Sequence, residues 1–103
     1  MSGPMKIRAT SKDGVAEIRV LMSHPMETGQ RKDPSGKIVP PHFIQNLTVR
    51  LNDRTVVEGQ ISQAVSRNPV FSFRVKGGKS GDKVEISWLD NKGESSRVET
   101  AIA

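Results

Sequence analysis

The sequence predicts an all-β domain, an immunoglobulin-like β-sandwich of about seven short strands held without a disulfide. Three observations carry that expectation. Apolar residues recur with period two almost everywhere, β-branched residues gather in short runs, and turn residues separate the runs at intervals of roughly 8–12 residues. The chain has 103 residues, with one Trp, three Phe, no Tyr and no Cys. That is the size of one compact domain, here residues 1–103, whose core must come mainly from Val, Ile and Leu. A domain this small buries only roughly 60–70% of its extended-chain surface, so it is expected to lean on a partner.

Met5 to Thr10 is the first strand, and Ser11-Lys12-Asp13-Gly14 turns the chain into Val15 to Met22. In that second strand Ala16, Ile18, Val20 and Met22 share one face, while Glu17 and Arg19 take the other. Phe43 to Leu51 is the third, with Phe43, Leu47, Val49 and Leu51 on the core side and Gln45 as a polar exception among them. Leu51-Asn52-Asp53-Arg54 is a tight turn into Thr55 to Ile61, because Asn and Asp tolerate the left-handed backbone such turns need. The polar stretch Ser62 to Asn68 ends at Pro69 and reads as a crossover between sheets. It leads to Val70 to Val75, with Phe71, Phe73 and Val75 facing inward. Gly77-Gly78-Lys79-Ser80-Gly81 reads as a flexible hairpin turn into Lys83 to Leu89, where Val84, Ile86 and Trp88 share a face. Asp90-Asn91-Lys92-Gly93 then closes a hairpin onto Glu94 to Ile102. Trp88 is expected to fill the core in place of a disulfide.

Ser23 to His42 does not fit this pattern. It has four prolines and no long periodic run, and loops above ~12–15 residues are usually functional or disordered. Asp33-Pro34-Ser35-Gly36 is a strong type I turn signal, so Gln30 to Lys32 and Lys37 to Val39 are expected to form a small protruding ribbon.

Composition and spacing exclude several chemistries. No apolar run approaches the ~20 residues that span a bilayer, and the N-terminus has no apolar stretch of signal-peptide type. Without Cys there is no thiolate ligand and no thiol chemistry in this chain. His24 and His42, with Glu27 and Asp33 nearby, could supply a metal site, but no paired-ligand spacing is present. Local roles are favoured instead: His24 hydrogen-bonds within a turn before Pro25, and His42 caps the entry to the third strand. Gly78-Lys79-Ser80 resembles the end of a phosphate loop, but Phe73 stands where that motif needs Gly, and strands flank it where it needs a helix. No catalytic triad spacing or nucleophile elbow occurs. The net charge of +5 suggests an anionic partner, yet the cations are scattered along the chain and no aromatic platform accompanies them, which argues against nucleic acid. The densest cluster, Arg31, Lys32 and Lys37, coincides with the unusual loop.

The run Leu21-Met22-Ser23-His24-Pro25-Met26-Glu27-Thr28-Gly29-Gln30-Arg31-Lys32-Asp33, followed by Gly36, Lys37, Ile38 and Pro40, resembles the SoxZ family of the bacterial thiosulfate-oxidising system. Phe43-Ile44, Leu51 to Asp53, Ala64-Val65-Ser66-Arg67-Asn68-Pro69, Phe71-Ser72-Phe73 and Trp88-Leu89-Asp90 extend the resemblance over most of the chain. It implies a non-catalytic subunit that pairs with SoxY, whose C-terminal Gly-Gly-Cys-Gly-Gly arm carries sulfur to SoxXA, SoxB and SoxCD. It also implies a periplasmic heterodimer, with this subunit exported alongside SoxY, without cofactor, metal, nucleic acid or membrane as partner. The candidate docking residues are His24, Met26, Glu27, Arg31 and Lys32, Met26 as an adaptable apolar contact and the charged groups to orient partners. The competing reading is that they hold the loop's own fold, with Glu27 paired to Arg31 or Lys32. The alternative function is a generic immunoglobulin-like binding module, or one that self-associates. An iron enzyme of sandwich fold is disfavoured, because two His and no Cys are too few ligands.

Overall fold

A computed structural model describes residues 5–61 and 67–103. It contains β1 (Lys6–Lys12), β2 (Val15–Leu21), β3 (Ile44–Leu51), β4 (Arg54–Gln60), β5 (Val70–Lys76), β6 (Lys83–Asp90) and β7 (Ser95–Ala101). All seven expected strands are present, with ends displaced by no more than two residues. They form two antiparallel sheets, β1-β2-β5 and β4-β3-β6-β7, which pack as the layers of an immunoglobulin-like sandwich.

Period-two alternation does what it must: it gives each strand one apolar face. Ala16, Ile18 and Val20 of β2 meet Leu47, Val49 and Leu51 of β3 and Val84, Ile86 and Trp88 of β6 in a single buried cluster. Phe71 and Phe73 are only half-buried, because β5 lies at the edge of its sheet. Two hairpins are set by consecutive left-handed residues, Asp13 and Gly14 (φ 53° and 76°) and Asn52 and Asp53 (φ 49° and 67°). That backbone gives a turn whose twist matches the flanking strands.

Two expectations need correcting. On β3 the pairing shifts between Ile44 and Asn46, so Ile44 is fully buried and Gln45 faces solvent. One extra residue reverses the side-chain parity, and no polar group enters the core face. The Gln45 carbonyl is used instead, accepting from the Ile61 amide at 2.8 Å.

The glycine-rich segment from Gly77 to Gly81 is not a hairpin, since β5 and β6 belong to different sheets. It crosses the end of the sandwich so closely that a Cβ on Gly78 would stand 2.3 Å from the Ala16 Cβ, an approach open only to glycine. Three of its amides are already committed: Gly77 donates to the Gly14 carbonyl, Gly81 to that of Ile102, and Lys79 to the Asp82 carboxylate. The β4 to β5 link does change sheets, as a crossover should; residues 62–66 within it, and with them part of the expected polar stretch, lie outside the described residues.

Candidate functional site

The long excursion between β2 and β3 is ordered from its base outward. Asn68 brackets its start: the Asn68 side-chain oxygen accepts from the His24 amide at 3.1 Å, and the Asn68 amide donates to the His24 carbonyl at 3.0 Å. Glu27 and His42 then form an antiparallel bridge, with reciprocal bonds of 2.7 and 3.0 Å. Beyond it a second bridge joins Lys32 to Ile38, and the Gly36 amide donates to the Asp33 carbonyl at 2.9 Å. The Asp33 carboxylate accepts from the Ser35 amide, the Ser35 hydroxyl and the Lys37 amide. The ribbon expected from the Asp-Pro-Ser-Gly signal is therefore present.

Under this ribbon lies a buried polar cluster. His24 and His42 both donate from Nε2 to the same oxygen, Oδ2 of Asp90, at 3.1 and 2.7 Å. His42 Nε2 also lies 3.2 Å from a Glu94 carboxylate oxygen. The other Asp90 oxygen accepts the Lys92 and Glu94 amides of the β6–β7 turn at 3.0 and 2.9 Å. The His24 and His42 rings meet edge to face at 4.6 Å, and His24 stands at 90° to Trp88 at 5.0 Å. Asp90 thus joins the turn at the end of β6 to both feet of the ribbon.

The chemistry of the cluster follows from one tautomer. The Met26 amide donates to His24 Nδ1 at 3.0 Å, so Nδ1 carries no proton and Nε2 does. His24 Nε2, His42 Nε2 and an Asp90 oxygen lie within 4.8 Å of one another, close enough to hold a cation. Ligation through His24 Nε2 would, however, strip the ring of its last proton while Nδ1 stays occupied as an acceptor. A metal-bound His normally donates from its other nitrogen, so the donor set suits a hydrogen-bonded staple rather than a metal. The cluster also differs from the metal set considered from sequence, since neither Glu27 nor Asp33 belongs to it.

Burial is the largest influence on His24 and pushes its pKa below the ordinary 6.5, against the opposing bond to Asp90. Burial pushes Asp90 upward, but bonds from His24, His42 and the Glu94 and Lys92 amides outweigh it and hold the carboxyl below 3.8. Both shifts act in one direction on stability. Because His24 is harder to protonate folded than unfolded, its contribution is complete above about pH 6.5 and is lost as the pH falls below it. The Asp90 contribution is complete above its unfolded value and is lost as the pH falls through its folded one. Urea midpoints are expected to be level from about pH 8 to 7 and then to decline from roughly pH 6.5 downward, steepening below about pH 4. A midpoint unchanged between about pH 7 and 5 would contradict the assignment of a neutral, buried His24.

The expected docking residues are divided by the fold. His24 and Met26 are core residues, 1% and 4% exposed, and Met26 turns the chain with a left-handed backbone (φ 47°) while its sulfur accepts the Ile44 amide. Glu27 grips the Arg31 guanidinium with both carboxylate oxygens, the shortest bond being 2.7 Å. Lys32 is exposed on the ribbon, next to Ile38, which is 61% exposed. His42 does more than cap β3, and Asp90 was legible only as a turn residue. No sequence spacing links positions 24, 42 and 90, so the second Asp90 oxygen had no signal.

The profile of the family described as sulphur oxidation protein SoxZ matches residues 5–101. No curated protein gives a significant match to the chain.

Proposed function

The chain belongs to the SoxZ family of sulphur oxidation proteins, and from that membership we propose that it is the non-catalytic subunit of a sulfur-carrier heterodimer with SoxY. The observation that carries the proposal is the family match over nearly the whole chain, residues 5–101. In this reading SoxY supplies the cysteine arm, and the present chain supplies a rigid body that fixes the arm's origin and offers docking surface to SoxXA, SoxB and SoxCD. The pair works in the periplasm, reached by export in company with SoxY.

Three features support this division of labour. The chain has no Cys, so any sulfur held covalently on a thiol belongs to a partner. A tethered cysteine samples a wide volume, and delivery to several enzymes gains from a fixed anchor. The ribbon is such a fixed element, held at its base by the Asp90 staple and carrying Arg31, Lys32 and the exposed Ile38.

The test is light-scattering chromatography of the chain alone and after co-expression with the SoxY-type subunit of the same genome. The expected result is a stable 1:1 complex on co-expression. A monomer that ignores that subunit would overturn the carrier reading and advance the generic binding module.

A further inference from the structure

The positive charge, scattered along the sequence, gathers on one face. The outward positions of β1, β2 and β5 hold Lys6, Arg8, Lys12, Arg19, Arg74 and Lys76 against the single acid Glu17. This face takes six of the sixteen basic residues and one of the eleven acidic ones, so it carries +5, the whole net charge of the chain. The remaining residues balance, ten against ten.

We propose that the outer face of the β1-β2-β5 sheet is a docking surface for an acidic polypeptide segment that also brings an aliphatic side chain. Arg8 and Arg19 are direct cross-strand partners, an arrangement that costs stability when nothing anionic lies over it. Neither is paired with a carboxylate among the described residues; of the six cations only Arg74 is, at 3.2 Å from Glu17. Two adjoining shallow depressions share Arg8 and Arg19. One continues to Thr10, Glu17, Ser72 and Arg74 over a floor of Ile18 and Phe73, with Glu17 held by Arg74 at its edge, and the other to Lys6, Ile7, Leu21 and Val70.

The size and lining identify the occupant. From the Lys6–Leu21–Val70 row to the Thr10–Glu17–Arg74 row is four residues along the strands, roughly 13 Å, and the three strands span about 10 Å across. A lone oxyanion would occupy one arginine pair and leave the rest uncovered, whereas an extended segment matches the whole extent. Leu21 and Val70 are direct partners and are 39% and 49% exposed, an apolar anchor at one end of a cationic field. Nucleic acid is the poorer match, because Phe71 and Phe73 take the opposite parity on β5 and pack half-buried against the core, so Phe73 reaches only the floor of the first depression and no ring projects from this face for a base to stack on. The inference does not rest on the identity of the carrier partner and stands even if the chain proves monomeric.

The probe is a short fluorescein-labelled peptide alternating glutamate and leucine, titrated into the 103-residue chain. Binding is expected with amide shift changes confined to β1, β2 and β5. Arg8→Glu with Arg19→Glu should weaken it at least about tenfold, while Arg54→Glu with Lys92→Glu, the same charge change elsewhere, should weaken it less than about twofold. A peptide with serine in place of leucine should bind less tightly. Arg19→Gln gives a readout without a ligand: at low salt its melting point should exceed that of the wild type, and the difference should vanish at high salt. No peptide binding, equal losses in the two double variants, shifts centred on the other sheet, or tighter binding of a single-stranded oligonucleotide of equal charge would each overturn the proposal.

Discussion

Replacing Asp90 with alanine is expected to lower the free energy of unfolding by about 3–5 kcal/mol, because two buried imidazole N–H groups and two turn amides lose their acceptor and a buried donor left unpaired costs about 1–3 kcal/mol. For a domain whose total stability is about 5–15 kcal/mol, that is a fifth or more. The loss has two physical parts. Two imidazole N–H groups, those of His24 and His42, lose their common acceptor in a place where the Asp90 side chain has no exposure to water. The β6–β7 turn also loses the acceptor for its Lys92 and Glu94 amides. Asp90→Asn separates the two: its carbonyl oxygen can still hold the turn, but its amide nitrogen would present a donor to two donors. His42 can answer by changing tautomer, and His24 cannot, because the Met26 amide occupies its Nδ1. Asparagine is therefore expected to restore less than half of the loss in urea unfolding followed by circular dichroism. The amides of Glu27 and His42, which close the base of the ribbon, should exchange faster with solvent in both variants. Full restoration by asparagine would mean that the turn, and not the histidines, is what Asp90 holds.

The fold was legible because local signals agree with one another. Asn52-Asp53 between two alternating runs specifies a hairpin by its own backbone preference, and Asp33-Pro34-Ser35-Gly36 does the same for the ribbon tip. What escaped the sequence depends on pairing between distant strands. Gln45 looked like a polar intruder because a bulge leaves no mark in a period-two pattern until the partner strand is known. The Gly77 to Gly81 segment looked like a hairpin because glycine-rich turns within and between sheets have the same composition. The same limit hid the basic face: Lys6, Arg8, Arg19 and Arg74 are neighbours only after β1, β2 and β5 align.

The staple was hidden for a related reason. His24 was legible as a local hydrogen-bonding residue, and its bond from the Met26 amide is local. Its bond to Asp90 spans 66 positions, and that of His42 spans 48. Neither separation has a period or motif attached to it, so only the folded chain reveals that one carboxylate serves both rings. Linking the ribbon to this buried cluster couples the two regions: whatever weakens the staple should also loosen the ribbon from which docking is proposed.

Trp88 is the second position where a single change should have a large effect. Its side chain is 2% exposed, among the largest of the buried groups, and it stands between the apolar core and the polar cluster, edge-on to His24 at 5.0 Å. Trp88→Ala is expected to cost about 3–5 kcal/mol, since a large cavity opens where the β6 strand cannot collapse without disturbing its pairs Leu47 and Ser96. For a domain of about this length, that loss lowers the melting temperature by more than about 12 °C. Trp88→Phe should cost only about 1–2 kcal/mol, because the indole N–H has no hydrogen-bond partner among the described residues and its removal relieves a buried unpaired donor while the ring contact with His24 is kept. Because this is the only tryptophan, unfolding must be followed by circular dichroism. Trp88→Ala should also raise hydrogen exchange at Met26, whose amide is held by the ring that Trp88 packs against. Combined with Asp90→Ala, the two losses should sum to less than their separate values, because each already releases His24. Strict additivity would show instead that Trp88 acts through the apolar core alone and leaves the staple untouched.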